Sequence, residues 1–207
     1  MEFAEVVARR RMIRRYRADP VDAAIVRDIV ATACRGPSAG FSQGQTFIVV
    51  TAEERRTRIA RLCGEADFVA RGHAPWVSVA PVHVIPCVRQ ADYRTRYAEP
   101  DKAGSRGPGG WAVPFWWVDT GAALMLLLLA ATDHGLGAGV LDVADRDGLR
   151  KLLAIPPDVE PLGLVTLGYA ADAQPPGSPS RRPRRPLDEQ LHWQQWVSHS
   201  TSSSPIA

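Results

Sequence analysis

Apolar residues recur at helical spacing in three parts of the first 62 residues. Residues 2–11 place apolar side chains on one helical face. A turn at 19–22 precedes a second helix, which we expect to begin with Asp22 as its N-cap and to run to Cys34. A third amphipathic helix is predicted over 52–62, with arginines on its outer face. These helices flank the first predicted strand.

Strand patterns occur at four positions. The β-branched run 46–50 predicts a buried strand, and 79–88 predicts a second one with prolines near its ends. A short strand is expected at 139–141, and a longer one at 160–169. Strands mixed with helices in this order indicate a single α+β domain.

The strongest hydrophobic stretch predicts a long central helix over 115–134. Its uninterrupted apolar part lies between Asp119 and Asp133 and has about a dozen residues, which is too short to span a bilayer and suits a buried helix. A short helix is predicted over 145–153. We therefore expect no membrane association.

Two segments lack a periodic pattern. Residues 89–113 are predicted to be an irregular insertion that forms a lid, and 171–196 a Pro- and Arg-rich C-terminal arm. The predicted domain covers 1–196, and 197–207 is a polar tail expected to be disordered. Aromatic residues cluster at and just after the end of the insertion, namely Trp111, Phe115, Trp116 and Trp117.

Composition is that of an ordinary globular chain, with 45% hydrophobic and 23% charged residues in 207. The net charge of +3 is too small to indicate a nucleic-acid partner. Nearly all basic residues are arginine, with lysine only at 102 and 151. Arginine suits bidentate phosphate contacts, although a GC-rich genome would give the same bias.

The cysteines indicate a reducing compartment. Cys34, Cys63 and Cys87 are odd in number and form no CxxC pair, so a disulfide framework is not expected. Cys34 lies in an apolar helical stretch and is predicted to be a small core residue. The N-terminus shows no apolar leader, and we expect a cytoplasmic protein.

Two arginine clusters and one small-residue turn could bind a single anion. The clusters are 9–15 and 181–185, and the turn is 37–43, with sequence Pro-Ser-Ala-Gly-Phe-Ser-Gln. Guanidinium groups, the Ser38 hydroxyl and closely approaching backbone N–H groups favour a phosphate. Taken alone, the first cluster favours a solvated basic face over an anion site, and the turn is also consistent with a simple loop.

Other chemistries lack their motifs. The glycines at 135–139 follow a helix and do not have GxGxxG spacing. The five histidines are scattered without HExxH, so we expect no metal site, and His83 with Cys87 is expected to be a core pair. Neither a GxSxG elbow nor a P-loop is present.

The order of these segments resembles the nitroreductase family of flavin-dependent oxidoreductases. The resemblance runs from about residue 3 to residue 196 and rests on six short stretches in the family's order. These are 9–16 followed by 19–21, 37–43 leading into 46–50, 135–139, 153–156, 168–169, and 182–189 ending at 192–193.

The resemblance implies a three-layer α/β/α sandwich with a mostly antiparallel central sheet, a long central helix and a C-terminal arm exchanged in a homodimer. It also implies FMN at the subunit interface. Arg10, Arg11, Met12 and Arg14 would contact its phosphate, ribityl chain and ring edge, and Arg182 and Arg184 would complete the phosphate clamp. Pro37, Ser38, Ala39 and Phe41 would come from the other subunit, with Gln43 nearby. Val140, Leu141, Asp142 and Val143 would line the ring through backbone atoms.

The reaction implied is hydride transfer from NAD(P)H through FMN to a nitroaromatic, a quinone or a natural-product substrate. No catalytic side chain is assigned, because water or substrate can exchange the protons. Tyr93, Tyr97 and Trp116 are candidates for substrate contact, and packing is the alternative role for Trp116.

Three other functions remain open from the sequence. A flavin-binding protein without turnover would store or sequester the cofactor beneath the aromatic insertion. A deazaflavin could replace FMN or reduce it. The segment around Phe41 is also similar to the flavin-cleaving branch that makes dimethylbenzimidazole, but Ile13 and Asp142 stand where that branch has its functional Asp and Ser, so we disfavour it.

Overall fold

The computed structural model describes residues 1–172, 174 and 182–196. It divides into two compact units, Met1–Pro175 and Pro176–Ala207. The division falls inside the predicted arm at 171–196. The predicted tail at 197–207 lies outside the described residues.

The first unit contains seven α-helices and five strands in its described part. The helices are α1 Phe3–Arg9, α2 Ala23–Ala33, α3 Glu53–Leu62, α4 Glu65–Ala70, α5 Gln90–Tyr97, α6 Phe115–Asp133 and α7 Arg146–Leu153. The strands are β1 Gln45–Val50, β2 Val82–Arg89, β3 Gly137–Leu141, β4 Val159–Pro161 and β5 Leu164–Gly168.

The strands form one antiparallel sheet in the order β1-β2-β5-β3, and β4 pairs with the end of β2. Val84 of β2 lies opposite Val165 of β5, which in turn lies opposite Val140 of β3. Such pairings fix which side chains share a face of the sheet. β1 and β3 are therefore the two edges of the main sheet, and the expected antiparallel architecture is confirmed.

Helices cover both faces of the sheet. On one face α2 and α6 pack through residues such as Ile29, Leu127 and Ala131 against Val84 and Leu167. On the other face α3, α4 and α7 pack against Ile85 and Leu164. A sheet that is apolar on both faces requires a cover on each, which gives the predicted three-layer sandwich.

Helix α6 has no polar face between Asp119–Thr120 near its start and Thr132–Asp133 at its end. Among the described residues it is the one helix with the length and composition to cross a membrane, so the expectation that this segment is too short does not hold for the complete helix of 19 residues. In this fold, however, Ala123, Leu127 and Ala131 are fully buried against α2 and the sheet. We therefore interpret α6 as a core helix that has one open apolar side.

Local signals placed several elements correctly. The Asp22 side chain accepts a hydrogen bond from the Ala24 N–H at 2.8 Å, as expected of an N-cap. The predicted long and short helices appear as α6 and α7, and the strand at 139–141 belongs to β3. His83 and Cys87 are both buried in β2, as predicted.

Four further expectations were wrong. The insertion at 89–113 is not irregular throughout, because it begins with α5. The strand predicted at 160–169 is divided between β4 and β5 at Leu162, whose N–H instead donates to the Pro86 carbonyl at 2.8 Å. The strand predicted to be buried at 46–50 is the edge strand β1, with Thr46 exposed. Cys34 is exposed, because it lies at the C-cap where α2 ends.

A buried histidine in β2 makes the fold sensitive to acid. The Nε2 atom of His83 lies 2.8 Å from the Val77 carbonyl, while its buried Nδ1 has no partner. Burial lowers the pKa of His83 to about 4. The folded protein therefore binds this proton less readily than the unfolded chain, whose histidine pKa is about 6.5. The stability contributed by neutral His83 is complete above pH 6.5 and is lost as the pH falls toward 4.

We expect His83→Gln to reduce the acid sensitivity of folding. Glutamine can still donate to Val77 but does not titrate. The wild-type free energy of unfolding should fall by about 2.5 kcal/mol more than that of the variant between pH 7.5 and pH 4.5. Urea denaturation at the two pH values measures this difference. The exposed His134→Gln is the control, and equal losses in wild type and His83→Gln would contradict the prediction.

Candidate flavin site

The first arginine cluster lies on the edge of the sheet. Residues 10–14, here called the arginine segment, run parallel to β3: Met12 bridges Ala138, and the Ile13 N–H donates to the Ala138 carbonyl at 2.9 Å. The Ile13 side chain is buried in the core. The pairing therefore fixes the backbone and leaves the side chains of Arg11 and Arg14 exposed.

Three arginines near this edge have no carboxylate partner in the described part of the chain. Arg9 pairs with Glu5 at 2.9 Å, and Arg17 pairs with Asp19. The arginines without one are Arg10, Arg11 and Arg14. These are the three arginines of the segment predicted to contact FMN. Unneutralised guanidinium groups held on a fixed backbone fit the phosphate of a flavin mononucleotide.

Trp76 packs beneath the same edge. It is buried, and the guanidinium carbon of Arg14 lies 5.8 Å from its ring centroid. The backbone N–H groups of Trp76 and Val77 both donate to one carboxylate oxygen of Glu65, at 2.8 and 2.6 Å. The carboxylate thus fixes the loop that carries the indole, and the indole supports Arg14.

A cleft of about 410 Å³ opens at the C-terminal end of β3. Its lining is mostly apolar and includes Leu124, Val140, Leu141, Asp142 and Leu162. Val140, Leu141 and Asp142, which the family resemblance predicts to line the ring, thus meet at one cleft. They lie at the end of β3, the strand with which the arginine segment pairs. An apolar cleft at the end of a strand that also pairs with a cationic segment fits a flavin ring and its phosphate.

Arg146, which the sequence did not single out, fixes the floor of this cleft. It donates to the Asp142 carboxylate at 2.7 Å and to the Pro161 carbonyl at 2.8 Å. Asp142 also accepts from the Val143 N–H at 2.8 Å. The Val143 N–H is therefore already used within the chain, whereas that residue's side chain is buried in the core.

The turn 37–43 has an unusual backbone. Gly40, Phe41 and Gln43 have φ values of 63°, 60° and 52°. The left-handed region is unfavourable for residues other than glycine, so two positions of this turn are strained. The Ser38 Oγ accepts from the Gln43 N–H at 2.8 Å and closes the turn. The Phe41 side chain is 73% exposed.

Two further residues that the sequence did not single out hold this turn. Asp119 of α6 is buried and accepts from the Ala39 N–H and from the Tyr93 hydroxyl, both at 2.8 Å. Arg96 of α5 donates to the Gly40 carbonyl at 2.7 Å. The only sequence signal was that Asp119 breaks an apolar run.

The three residues predicted to contact substrate belong to one aromatic cluster. Tyr93 is fully buried, and its ring centroid lies 6.1 Å from that of Trp111 and 6.5 Å from that of Trp116. Tyr97 lies 5.1 Å from Trp111. Burial, followed by the hydrogen bond to Asp119, raises the pKa of the Tyr93 hydroxyl above its ordinary value. This placement favours a structural role for Tyr93, while its contact with a substrate stays a prediction.

The fold brings some predicted site residues together and separates others. The arginine segment and 140–143 share the β3 edge, whereas the turn 37–43 precedes β1 at the opposite edge. Three strand spacings, roughly 14 Å, lie between these edges. Arg182 and Arg184 are exposed in the second unit. Their predicted contact with phosphate stays a prediction.

Comparison with known proteins identifies the family. The model of the nitroreductase family matches residues 7–169. The chain is 32% identical to a putative NADH dehydrogenase/NAD(P)H nitroreductase of Methanothermobacter thermautotrophicus, over 83% of this chain and 79% of that protein. It is 28% identical to an FMN reductase [NAD(P)H] of Bacillus subtilis, over 95% and 75%. The chain therefore belongs to the nitroreductase family, as its motifs predicted.

A solved structure agrees with this assignment. The hypothetical oxidoreductase YcnD from Bacillus subtilis superposes with a TM-score of 0.74 at 26% identity, covering 96% of this chain and 76% of that one. The similarity extends along nearly the whole chain, so the fold is that of the family.

We expect Gly139→Ala to destabilise the β3 edge. A Cβ at this position would lie 2.6 Å from the Trp76 ring, 2.7 Å from the Ile13 carbonyl oxygen and 2.8 Å from the Thr166 hydroxyl. Overpacking of this kind costs about 2 kcal/mol. Urea denaturation would measure the loss. Gly109→Ala, where a Cβ meets nothing within 4 Å, is the matched control. Equal midpoints for the two variants would contradict the prediction.

Proposed function

We propose that this protein is an FMN-dependent oxidoreductase that passes hydride from NADH or NADPH to a small organic acceptor such as a nitroaromatic, a quinone or a natural-product intermediate. The observation that carries the proposal is the set of three arginines without carboxylate partners in the described chain, on the segment that pairs with β3, the strand whose C-terminal end lines the apolar cleft. Family membership and a relative named FMN reductase [NAD(P)H] support it.

The chain's own residues provide binding and orientation. Arg10, Arg11 and Arg14 would hold the phosphate, with Arg182 and Arg184 completing the clamp. The backbone of 140–143 would face the ring. When bound, FMN supplies the hydride chemistry. Among the described residues no group of His, Cys, Asp and Glu could hold a metal ion, and the proposal needs none.

We further propose a homodimer, in which the turn 37–43 serves the partner's flavin. Two observations support this. The turn and the arginine segment lie at opposite edges of the sheet in one chain. The open side of α6 is apolar, with Val118 49% and Met125 47% exposed, and a second copy would cover it. The three free cysteines are consistent with a reducing cytoplasm.

We expect the purified protein to be yellow and to be reduced by a nicotinamide. Purified protein should carry or take up FMN, and NADH or NADPH added without oxygen should bleach its visible absorbance. Light scattering on the same sample should give twice the chain mass. A yellow protein inert to both nicotinamides would overturn the proposed reaction and favour storage or a deazaflavin partner. A colourless protein that takes up no FMN would overturn the flavin assignment.

We also expect that removing an arginine from the proposed phosphate site weakens FMN binding. Arg10→Ala should weaken FMN binding about tenfold or more, because a charge-assisted contact to phosphate is lost. Arg184→Ala should act in the same direction. Arg9→Ala is the matched control, since Arg9 is the adjacent residue and already pairs with Glu5. Titration of flavin-free protein with FMN, followed by fluorescence quenching, measures the affinities. Full affinity in Arg10→Ala and Arg184→Ala would show that the phosphate assignment is wrong.

A further inference from the structure

Asp119 connects three separate parts of the chain at one buried point. Its side chain projects from α6, is shielded from solvent, and accepts hydrogen bonds from the Ala39 N–H and the Tyr93 hydroxyl, both at 2.8 Å. Ala39 belongs to the turn 37–43 and Tyr93 to α5. A buried carboxylate needs such donors, and bonds to a charged acceptor are among the stronger ones in proteins.

We propose that Asp119 is a positioning residue that, with Tyr93 and Arg96, holds the turn 37–43 in the conformation that binds FMN. This inference rests on the proposed function. Under this inference α5, at the start of the insertion 89–113, supports a cofactor-binding turn. Tyr93 then affects FMN binding through the turn.

The turn needs external support because its backbone is strained. Phe41 and Gln43 have positive φ, and each such residue costs on the order of 1–3 kcal/mol unless its surroundings impose the conformation. The Gln43 N–H to Ser38 Oγ bond closes the turn but cannot orient it on the protein. Orientation must come from contacts outside the turn.

Helix α5 provides those contacts on a second side. The Gly40 carbonyl accepts from Arg96, whose guanidinium is oriented by both carboxylate oxygens of Asp101 at 2.7 Å. A Cβ on Gly40 would lie 2.7 Å from the Tyr97 ring, and one on Gly44 2.6 Å from the Tyr93 ring. The turn is therefore packed closely on α5 and cannot shift toward it.

These contacts leave one side of the turn available. Asp119 and Arg96 each bind its backbone, the Tyr97 ring contacts Gly40, and the Tyr93 ring contacts Gly44 just after the turn. The Phe41 side chain is left largely exposed. The turn is thus fixed by α5 and α6 while its Phe41 side chain stays exposed. Such a turn is preorganised for a planar ligand, since little ordering remains when the ligand binds.

The experiment measures FMN affinity separately from stability. Ala39 and Tyr93 donate to the same carboxylate oxygen of Asp119, so Asp119→Asn keeps an acceptor but removes the charge that strengthens both bonds. Tyr93→Phe removes one hydroxyl while keeping the ring. We expect the FMN dissociation constant of flavin-free protein to rise about tenfold or more in Asp119→Asn and several-fold in Tyr93→Phe. Asp133→Asn, on the same helix but exposed, should bind like wild type.

Thermal melting of the flavin-free variants identifies a purely structural effect. If these residues only stabilised the fold, the melting temperature would fall while the dissociation constant, measured well below it, stayed at the wild-type value; that result overturns the inference. Tyr93→Phe keeps the test decisive if Asp119→Asn does not fold. If the wild type binds FMN and Arg10→Ala weakens binding, but neither Asp119→Asn nor Tyr93→Phe does, the positioning role is overturned and the proposed function stands. No FMN binding by wild type overturns the proposed function and this inference together.

Discussion

The contact between the arginine segment and β3 determines where the rest of the candidate site lies. Gly137 and Gly139 have no side chains, so Ile13 and Trp76 can approach the strand directly. One backbone hydrogen bond, from Ile13 to Ala138, then holds the segment on the sheet. The cationic groups consequently lie beside the strand that leads into the apolar cleft. A side chain at either glycine would separate them.

Buried and half-buried polar groups attach irregular segments to the layered core. Glu65 binds the loop at 76–78, Asp119 binds the turn 37–43, and the Tyr16 hydroxyl lies 2.8 Å from that of Thr166. Each of these groups has its partners in the described structure. Satisfied polar contacts of this kind specify one arrangement where apolar packing alone would allow several.

The sequence predicted the elements whose signals are local. Asp22 and the three- and four-residue spacing after it define α2, and the apolar run defines α6. Helix α5 was missed because its residues are polar apart from Ala91 and two tyrosines, so its helical form depends on packing against the turn and Trp111. The roles of Asp119, Arg96 and Arg146 were missed for a different reason: a single charged residue does not reveal which distant backbone it binds.

The separation of the turn and the arginines across the sheet has a thermodynamic consequence. In the proposed dimer each FMN would join the arginine segment of one chain to the turn of the other. Assembly and cofactor occupancy are then linked reciprocally: binding of FMN tightens the dimer by the same free energy with which dimerisation tightens FMN. Cofactor retention would therefore depend on protein concentration, and dilution would release flavin and subunits together.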